Sequence, residues 1–356
     1  MVVHTTQTSN VTVVSQFDSS VLSELLDEEL GSDPTTSRHL TNHLSMALVA
    51  KSHLGANNDE LRRFAKIYSR RIVPLAPLQH VLDHTSWTAA IGQRGASGDL
   101  RDYFVRCVND VGIDATMKSH LPGLLPGISG AAFHGAIRLA YALEVESPIR
   151  VAAGLGYLAE VAAPLGPLVD TGLKSTEPLE LITELTQTFK WSDNAEDENI
   201  GHRMHAVAQH VEFQSLTLSL EINDDTNNKL ANAALQIYAS TDDFTALHGV
   251  TGFAAMSALR PWCAEPELID RYAFQSLAAA YQTIGCPALW SHDRLDELVA
   301  LGAAPHDAVS LVGANSNDEH VSKLIYTSLR YWEKTKEPLY LAVAARRAGL
   351  LTPEVN

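Results

Sequence analysis

Apolar residues recur at intervals of three and four through most of the chain, which is the spacing of amphipathic α-helices. In Thr41–His53, for example, Leu44 and Leu48 share one helical face. Strand-like alternation is rare and βαβ alternation is absent. The pattern predicts an all-α fold, with one large multi-helix domain over residues 16–356. The polar residues 1–15 form a flexible tail or one short edge strand.

The same periodicity sets the bounds of the other predicted helices. They span residues 20–30, 58–71, 100–111, 129–144, 149–161, 201–210, 244–259, 267–282, 293–301, 306–312, 318–332 and 339–347. Asp33-Pro34 is expected to break the chain after the first helix, and Leu121–Gly127 to form a loop. The proline-containing segment 164–199 is expected to be a connection within one fold.

Charge and cysteine content exclude several classes of protein. The formal net charge of −16 argues against non-specific nucleic-acid binding and against binding to anionic membranes. Three widely separated cysteines form neither a disulfide framework nor a zinc knuckle. No signal-like segment is present, and no apolar run reaches the roughly 18 residues of a membrane span. We therefore expect a soluble, cytoplasmic protein, and the charge indicates nothing about its substrate.

One predicted helix near the C-terminus carries an unusual pair of side chains. It begins near Asp318, and His320 and Lys323 follow three residues apart, so both leave the same face. The pair makes chemical sense around a metal if the lysine amine adds carbon dioxide, because the carbamate is an anionic oxygen ligand. Histidine with an anionic oxygen is typical of non-haem iron. Alternatively, His320 is a core residue and Lys323 extends to water.

Three other predicted helices each present one histidine among small or apolar residues: His43, His134 and His248. Helical proteins build interior sites from such separated elements. With His320 and a carboxylated lysine they would form a five-coordinate sphere with one open position. The sequence holds fifteen histidines, however, so several are expected on buried faces by chance.

Two further patterns are weaker. His202, His205 and His210 lie on one short predicted helix, but His210 falls off the face that the other two share. The glycines of Gly154–Ala159 match a dinucleotide-binding fingerprint by letters only, because no β-branched strand leads into them. Neither pattern predicts a site.

The chain resembles the questin oxidase-like family over roughly residues 40–349. The resemblance rests on the order and spacing of Asn42–Leu48 with Leu54–Ala56, Phe133–Glu144, Thr245–Gly252, Asp318–Leu324 and Pro338–Ala345. It implies an oxygenase of aromatic polyketides or quinones, which cleaves a ring or inserts oxygen in a Baeyer–Villiger manner. It also implies Fe(II), O2 as co-substrate, and NADPH as a source of electrons. The segment 164–199 has no clear counterpart in the family, which leaves the substrate open.

Position by position, the resemblance implies five metal ligands: His43, His134, His248, His320 and a carboxylated Lys323. Tyr141 and Arg138 project near His134 on the same predicted helix, so they are candidates for orienting a phenolate or carbonyl. Both are equally plausible as structural residues.

The alternative from another class is a helical metal- or ligand-binding protein without catalysis. It is motivated by an all-α pattern that lacks a nucleophile–base pair or a phosphate loop. A ferritin-like di-iron enzyme would need paired Glu-x-x-His motifs, which the sequence does not supply.

Overall fold

The computed structural model describes residues 20–168, 172, 175–191, 199–214 and 219–351. Within these ranges the chain forms sixteen α-helices, four short 3-10 turns and one two-stranded antiparallel sheet. The predicted all-α class is therefore confirmed. The expected tail at 1–15 lies outside the described residues, as does the acidic part of the 164–199 connection. No helix in the described ranges is both long and apolar enough to cross a membrane.

The helices are α1 (Ser20–Glu29), α2 (Leu44–His53), α3 (Asn58–Tyr68), α4 (Ser97–Leu124), α5 (His134–Glu144), α6 (Pro148–Val161), α7 (Pro178–Thr188), α8 (Ile200–Ala208), α9 (Val211–Gln214), α10 (Thr226–Thr241), α11 (Phe244–Leu259), α12 (Pro266–Thr283), α13 (His292–Leu301), α14 (His306–Asn315), α15 (Glu319–Thr335) and α16 (Pro338–Arg347). The strands are β1 (Ser32–Thr36) and β2 (Ile72–Pro74).

Side-chain caps define where the site-bearing helices begin. Asp243 accepts hydrogen bonds from the backbone amides of Thr245 and Ala246 at 2.6 and 3.2 Å, so α11 begins where its acidic N-terminal signature predicts. Asp318 caps α15 in the same way by accepting from the amide of His320 at 2.8 Å. Both helices therefore have a fixed first turn.

The predicted loop at Leu121–Gly127 is wrong in its first half. Helix α4 breaks at Gly112, which has a φ of 81°, and then continues through Pro122 to Leu124. Leu121 and Leu124 are completely buried. The free energy gained by burying these two leucines exceeds the cost of the one backbone hydrogen bond that a proline removes from a helix.

The sequence pattern also missed several elements of the described ranges. Helix α10 was not predicted, and α7 lies within the segment that was expected to be a connection. Asp33 and Pro34, expected only to break the chain, lie in β1. A proline is tolerated there because the two-stranded sheet leaves one edge of each strand free of ladder bonds.

Four helices form the centre of the fold and contact one another in a closed cycle: α2 contacts α5, α5 contacts α11, α11 contacts α15, and α15 contacts α2. Helix α6 packs against α5 and α4 packs against α6, while α10 and α12 cover α11. The hydrophobic core is continuous around this cycle. Each of the four central helices carries one of the histidines singled out above.

Candidate metal centre

Four imidazoles form a closed ring in the interior. Centroid separations are 4.5 Å from His43 to His134 and 4.9 Å from His134 to His248. They are 5.2 Å from His248 to His320 and 4.7 Å from His320 back to His43. The order of the rings is the same as the order of helix contacts, so the helix cycle itself brings the four side chains together.

All four histidines lie at or near helix N-termini. His43 is the residue before α2, His134 begins α5, His320 is second in α15, and His248 is fifth in α11. The N-terminal end of a helix carries partial positive charge. It disfavours an imidazolium and favours an anion nearby, so this setting keeps the rings neutral.

Backbone carbonyls fix the tautomers of two of the rings. The Nδ1–H of His134 donates to the carbonyl of Ala131 at 2.6 Å, and that of His248 donates to the carbonyl of Phe244 at 2.7 Å. A carbonyl only accepts, so Nδ1 holds the proton and Nε2 keeps its lone pair. The Nε2 of His134 is buried without a hydrogen-bond partner. An orphaned buried nitrogen of this kind suits a metal ligand.

A carboxylate orients the third ring. His320 Nδ1 lies 3.3 Å from an Asp318 carboxylate oxygen, and the other oxygen lies 3.2 Å from Arg347. The hydrogen bonds from His320 hold the pKa of Asp318 well below its usual range. Asp318 is therefore ionised and accepts from Nδ1, so the Nε2 of His320 also keeps its lone pair.

Lys323 completes the cluster. Its side chain is buried, and its Nζ lies 3.0 Å from the Nδ1 of His43. Burial lowers the pKa of Lys323 to about 7, although Glu319 and Asp318 oppose the shift. Near neutral pH much of the amine is therefore uncharged, and the uncharged amine is the form that adds carbon dioxide.

The spacing of donor atoms is close to that of a metal site. One ring nitrogen from each of His43, His134 and His320 lies within 4.8 Å of the others. His248 is not part of this group of three, although its ring centroid lies 4.9 Å from that of His134. Ligands on opposite sides of a metal are about 4.2 Å apart when each bond is about 2.1 Å, so a small contraction would bring them into range. Burial lowers the pKa of all four imidazoles, that of His248 to about 3. The residues present fit a divalent ion.

A turn of residues in the left-handed conformation places His134 in the ring of four imidazoles. Helix α5 was predicted to begin at Ser129, but Ala131, Ala132 and Phe133 all have positive φ, between 50° and 69°. For residues other than glycine this conformation costs roughly 1–2 kcal/mol each. The turn places the carbonyl of Ala131 against His134. Phe133 fits only because Gly252 faces it, since a Cβ there would lie 2.4 Å from the ring.

The two predicted substrate-orienting residues lie in different surroundings. Arg138 Nη2 lies 2.5 Å from Glu29 Oε1 in a buried ion pair, and Arg138 Nη1 donates a hydrogen bond to the carbonyl of Asn42 at 3.1 Å. Since Asn42 precedes His43, Arg138 holds the backbone beside the centre. Tyr141 instead lines a cavity beside α11 and α15. The structure therefore brings the four histidines and Lys323 together and leaves Arg138 and Tyr141 outside the cluster.

Sequence reasoning missed a second buried lysine. Lys51 donates to the carbonyls of Ala314, at 2.9 Å, and Ser316, at 2.5 Å, and it lies over the ring of Phe64. It thereby joins α2 to the segment that leads into α15. The available signal was a lysine directly after the apolar run Met46–Ala50, which placed it on a buried helix.

The weaker patterns are explained by ordinary packing and exposure. His202, His205 and His210 are exposed on or just after α8. Gly154 and Gly156 lie inside α6, where a Cβ would press on α5 and α4. These glycines allow close helix packing, and no dinucleotide turn is formed there.

An all-α fold enclosing a ring of neutral imidazoles beside a buried lysine defines a class of helical protein with a candidate metal centre. The sequence model of the questin oxidase-like family matches residues 40–328. The chain therefore belongs to the questin oxidase-like family. No curated protein matches it. Membership makes the protein an oxidase that acts on a small molecule.

Proposed function

We propose that the protein is a non-haem iron oxygenase, with His43, His134, His248, His320 and carboxylated Lys323 as the ligands. Its substrate would be an aromatic polyketide, a quinone or a related small aromatic molecule. The observation that carries the proposal is the closed ring of four imidazoles with a buried amine 3.0 Å from one of them. Bound ferrous iron would supply the electrons that activate dioxygen.

Charge balance supports the modification of Lys323. Five neutral nitrogen donors would leave a divalent ion uncompensated in a buried setting, which is costly. When the amine nitrogen bonds the carbon of CO2 and loses one proton, the side chain becomes anionic. The helix N-termini around the centre favour such an anion by about 0.3–1 kcal/mol each.

The protein's own residues bind, orient and exclude water. Hydrogen bonds from Nδ1 hold the rings of His134, His248 and His320, so their ligand atoms are pre-organised. Phe244 contacts the rings of both His248 and His320 at centroid distances of 4.6 and 4.7 Å. Its ring is half exposed, so it forms the lid of the centre on the solvent side.

Metal content and oxygen uptake test this function. Purified protein is expected to hold one iron per chain and to consume O2 with a hydroxyanthraquinone, with or without NADPH. Iron-free protein is expected to be inactive until ferrous iron is restored. Unchanged turnover without iron would refute the proposal. Bound metal without an O2-dependent product from any aromatic substrate would favour the alternative of a non-catalytic binding protein.

The carbamate has its own test. After incubation with 13C-bicarbonate, wild-type protein loaded with diamagnetic zinc in place of iron should show a carbamate resonance by 13C NMR, and Lys323→Ala should not. The Lys323→Ala variant should also lose iron, and added bicarbonate should not restore it. The exposed Lys66 offers a matched control, since Lys66→Ala should retain both the resonance and the iron. Full iron occupancy in Lys323→Ala would exclude the lysine as a ligand.

A further inference from the structure

A cavity of about 220 Å³ lies between α5, α11 and α15, three of the helices that bear the candidate metal centre. Its nearest lining residues are Ile137, Thr251 and Thr327. Each follows His134, His248 or Lys323 by three or four residues, which is one helical turn of about 5.4 Å on the same face. The cavity is therefore stacked on the candidate metal centre along the axes of three of its helices.

Small residues on one wall create the space. Helix α11 contributes Ala254, Ala255 and Ala258 to the lining. Tyr141 and Tyr326 form an aromatic side, with ring centroids 5.9 Å apart. An apolar cavity of about 150 Å³ accommodates benzene, so this one has room for a second fused ring. Flat aromatic molecules fit between such walls by offset stacking.

Tyr141 lines this space, and its hydroxyl has few partners within the protein. It is buried and makes no hydrogen bond of normal geometry, and its one weak interaction is with Thr327. Burial raises the pKa of Tyr141 and of Tyr326 well above the ordinary value, so both hydroxyls stay protonated. A buried hydroxyl of this kind can donate to a ring carbonyl or phenolate oxygen of a ligand.

The outer end of the cavity is positively charged. Its ionisable lining residues are Glu144, Arg330 and Lys334, which sum to +1 in a chain of net charge −16. Arg330 and Tyr326 both bind Glu144, so the glutamate is compensated. Lys334 is exposed and lies 5.9 Å from the ring of Tyr331, which leaves its charge available to an anion.

We propose that this cavity binds a planar aromatic anion of two fused rings. The anionic group lies at Lys334 and Arg330, the rings lie between α11 and the tyrosines, and the opposite edge faces the histidines. The proposal rests on the function above only in naming the ligand as the substrate, because binding itself requires no turnover. On this proposal, the alanines of α11 determine the size of the ligand that fits, and Lys334 determines the preference for an anion.

Equilibrium binding of 1-hydroxy-2-naphthoate, followed by its own fluorescence, tests the cavity in purified full-length protein. Ala255→Phe fills the space and is expected to weaken binding at least tenfold. Iron content and the urea midpoint, measured on the same sample, show that the variant is folded. Unchanged affinity in a folded Ala255→Phe variant would overturn the proposal.

A charge variant tests the orientation. Lys334→Met is expected to weaken 1-hydroxy-2-naphthoate binding about two- to fivefold, the range for an exposed ion pair, and to leave 2-naphthol binding unchanged. Lys336→Met is the matched control, since Lys336 lies over Trp332 outside the lining. Equal affinities in the two lysine variants would refute the assigned orientation. Tight binding of 1-hydroxy-2-naphthoate by protein that takes up no O2 with any aromatic substrate would refute the oxygenase function and leave the pocket standing.

Discussion

Substituting Gly252 tests whether close packing behind Phe133 holds the candidate metal centre together. In Gly252→Ala the new Cβ would lie 2.4 Å from Phe133 Cγ, about 1.1 Å inside the shortest normal contact of roughly 3.5 Å. Phe133 immediately precedes His134 in the strained left-handed turn, so its displacement moves that histidine. Overpacking of this size costs about 1–3 kcal/mol.

Helix α11 supplies its own control. Gly249 lies one turn earlier, and a Cβ there would meet only the end of the Leu277 side chain at 3.4 Å. Both substitutions gain the same helix propensity, about 0.5–1 kcal/mol. The difference in the free energy of unfolding between Gly252→Ala and Gly249→Ala therefore isolates the overpacking cost.

Urea denaturation and iron analysis measure the two consequences. Gly252→Ala is expected to be about 1–3 kcal/mol less stable than Gly249→Ala. Its iron affinity should fall about 10- to 100-fold, as for other changes to residues that orient a ligand. Equal stability and equal iron content in the two variants would show that the turn is not held by this contact.

Three other predictions concern buried charges around the centre. Lys51→Met removes two hydrogen bonds from a charged donor to backbone carbonyls, so urea denaturation should show a free energy of unfolding that is lower by about 3 kcal/mol. A decrease below about 1 kcal/mol would show that Lys51 does not stabilise the contact between α2 and the segment before α15. Burial raises the pKa of Glu160 to about 7 from an ordinary 4.5, so wild-type stability should fall as pH rises between these values and level off above them. The free energy of unfolding of Glu160→Gln should not fall over this pH range. The variant should be roughly 2–3 kcal/mol more stable than wild type at pH 8 and about equally stable near pH 4.5. Parallel curves of unfolding free energy against pH for the two proteins would refute this prediction. Arg138→Met leaves the buried carboxylate of Glu29 without its ion-pair partner, at a cost in unfolding free energy of about 3–5 kcal/mol. Adding Glu29→Gln should recover more than half of that loss in a double-mutant cycle.

The helices could be predicted from the sequence because their signal is local. Amphipathic spacing and acidic caps such as Asp243 act within one or two turns, and they set the beginning of α11 correctly. The presence of His320 and Lys323 on one face follows from the same geometry. That the four histidines meet could be expected only from their similar surroundings and the family resemblance. Their role as ligands remains a proposal.

The errors arise where tertiary packing decides. Nothing local indicates that Ala131–Phe133 adopt left-handed conformations, because the reason lies in Gly252 and α6, far away in sequence. Pro122 remains helical since the buried leucines on either side of it stabilise the turn. The partners of Lys51 are carbonyls more than 260 residues away, and a sequence pattern does not show such contacts.

If the ring of imidazoles binds iron as proposed, its construction has a consequence for how the metal is acquired. His43 and Lys323 are adjacent in space but 280 residues apart in the chain, so both ends of the fold must be in place before the donors converge. An unfolded or half-synthesised chain offers no comparable chelate, and iron would bind almost exclusively to the finished protein. By mass action each tenfold excess of metal over its dissociation constant would add about 1.4 kcal/mol to the stability of the native state. Iron starvation would then deplete the folded protein itself as well as its activity.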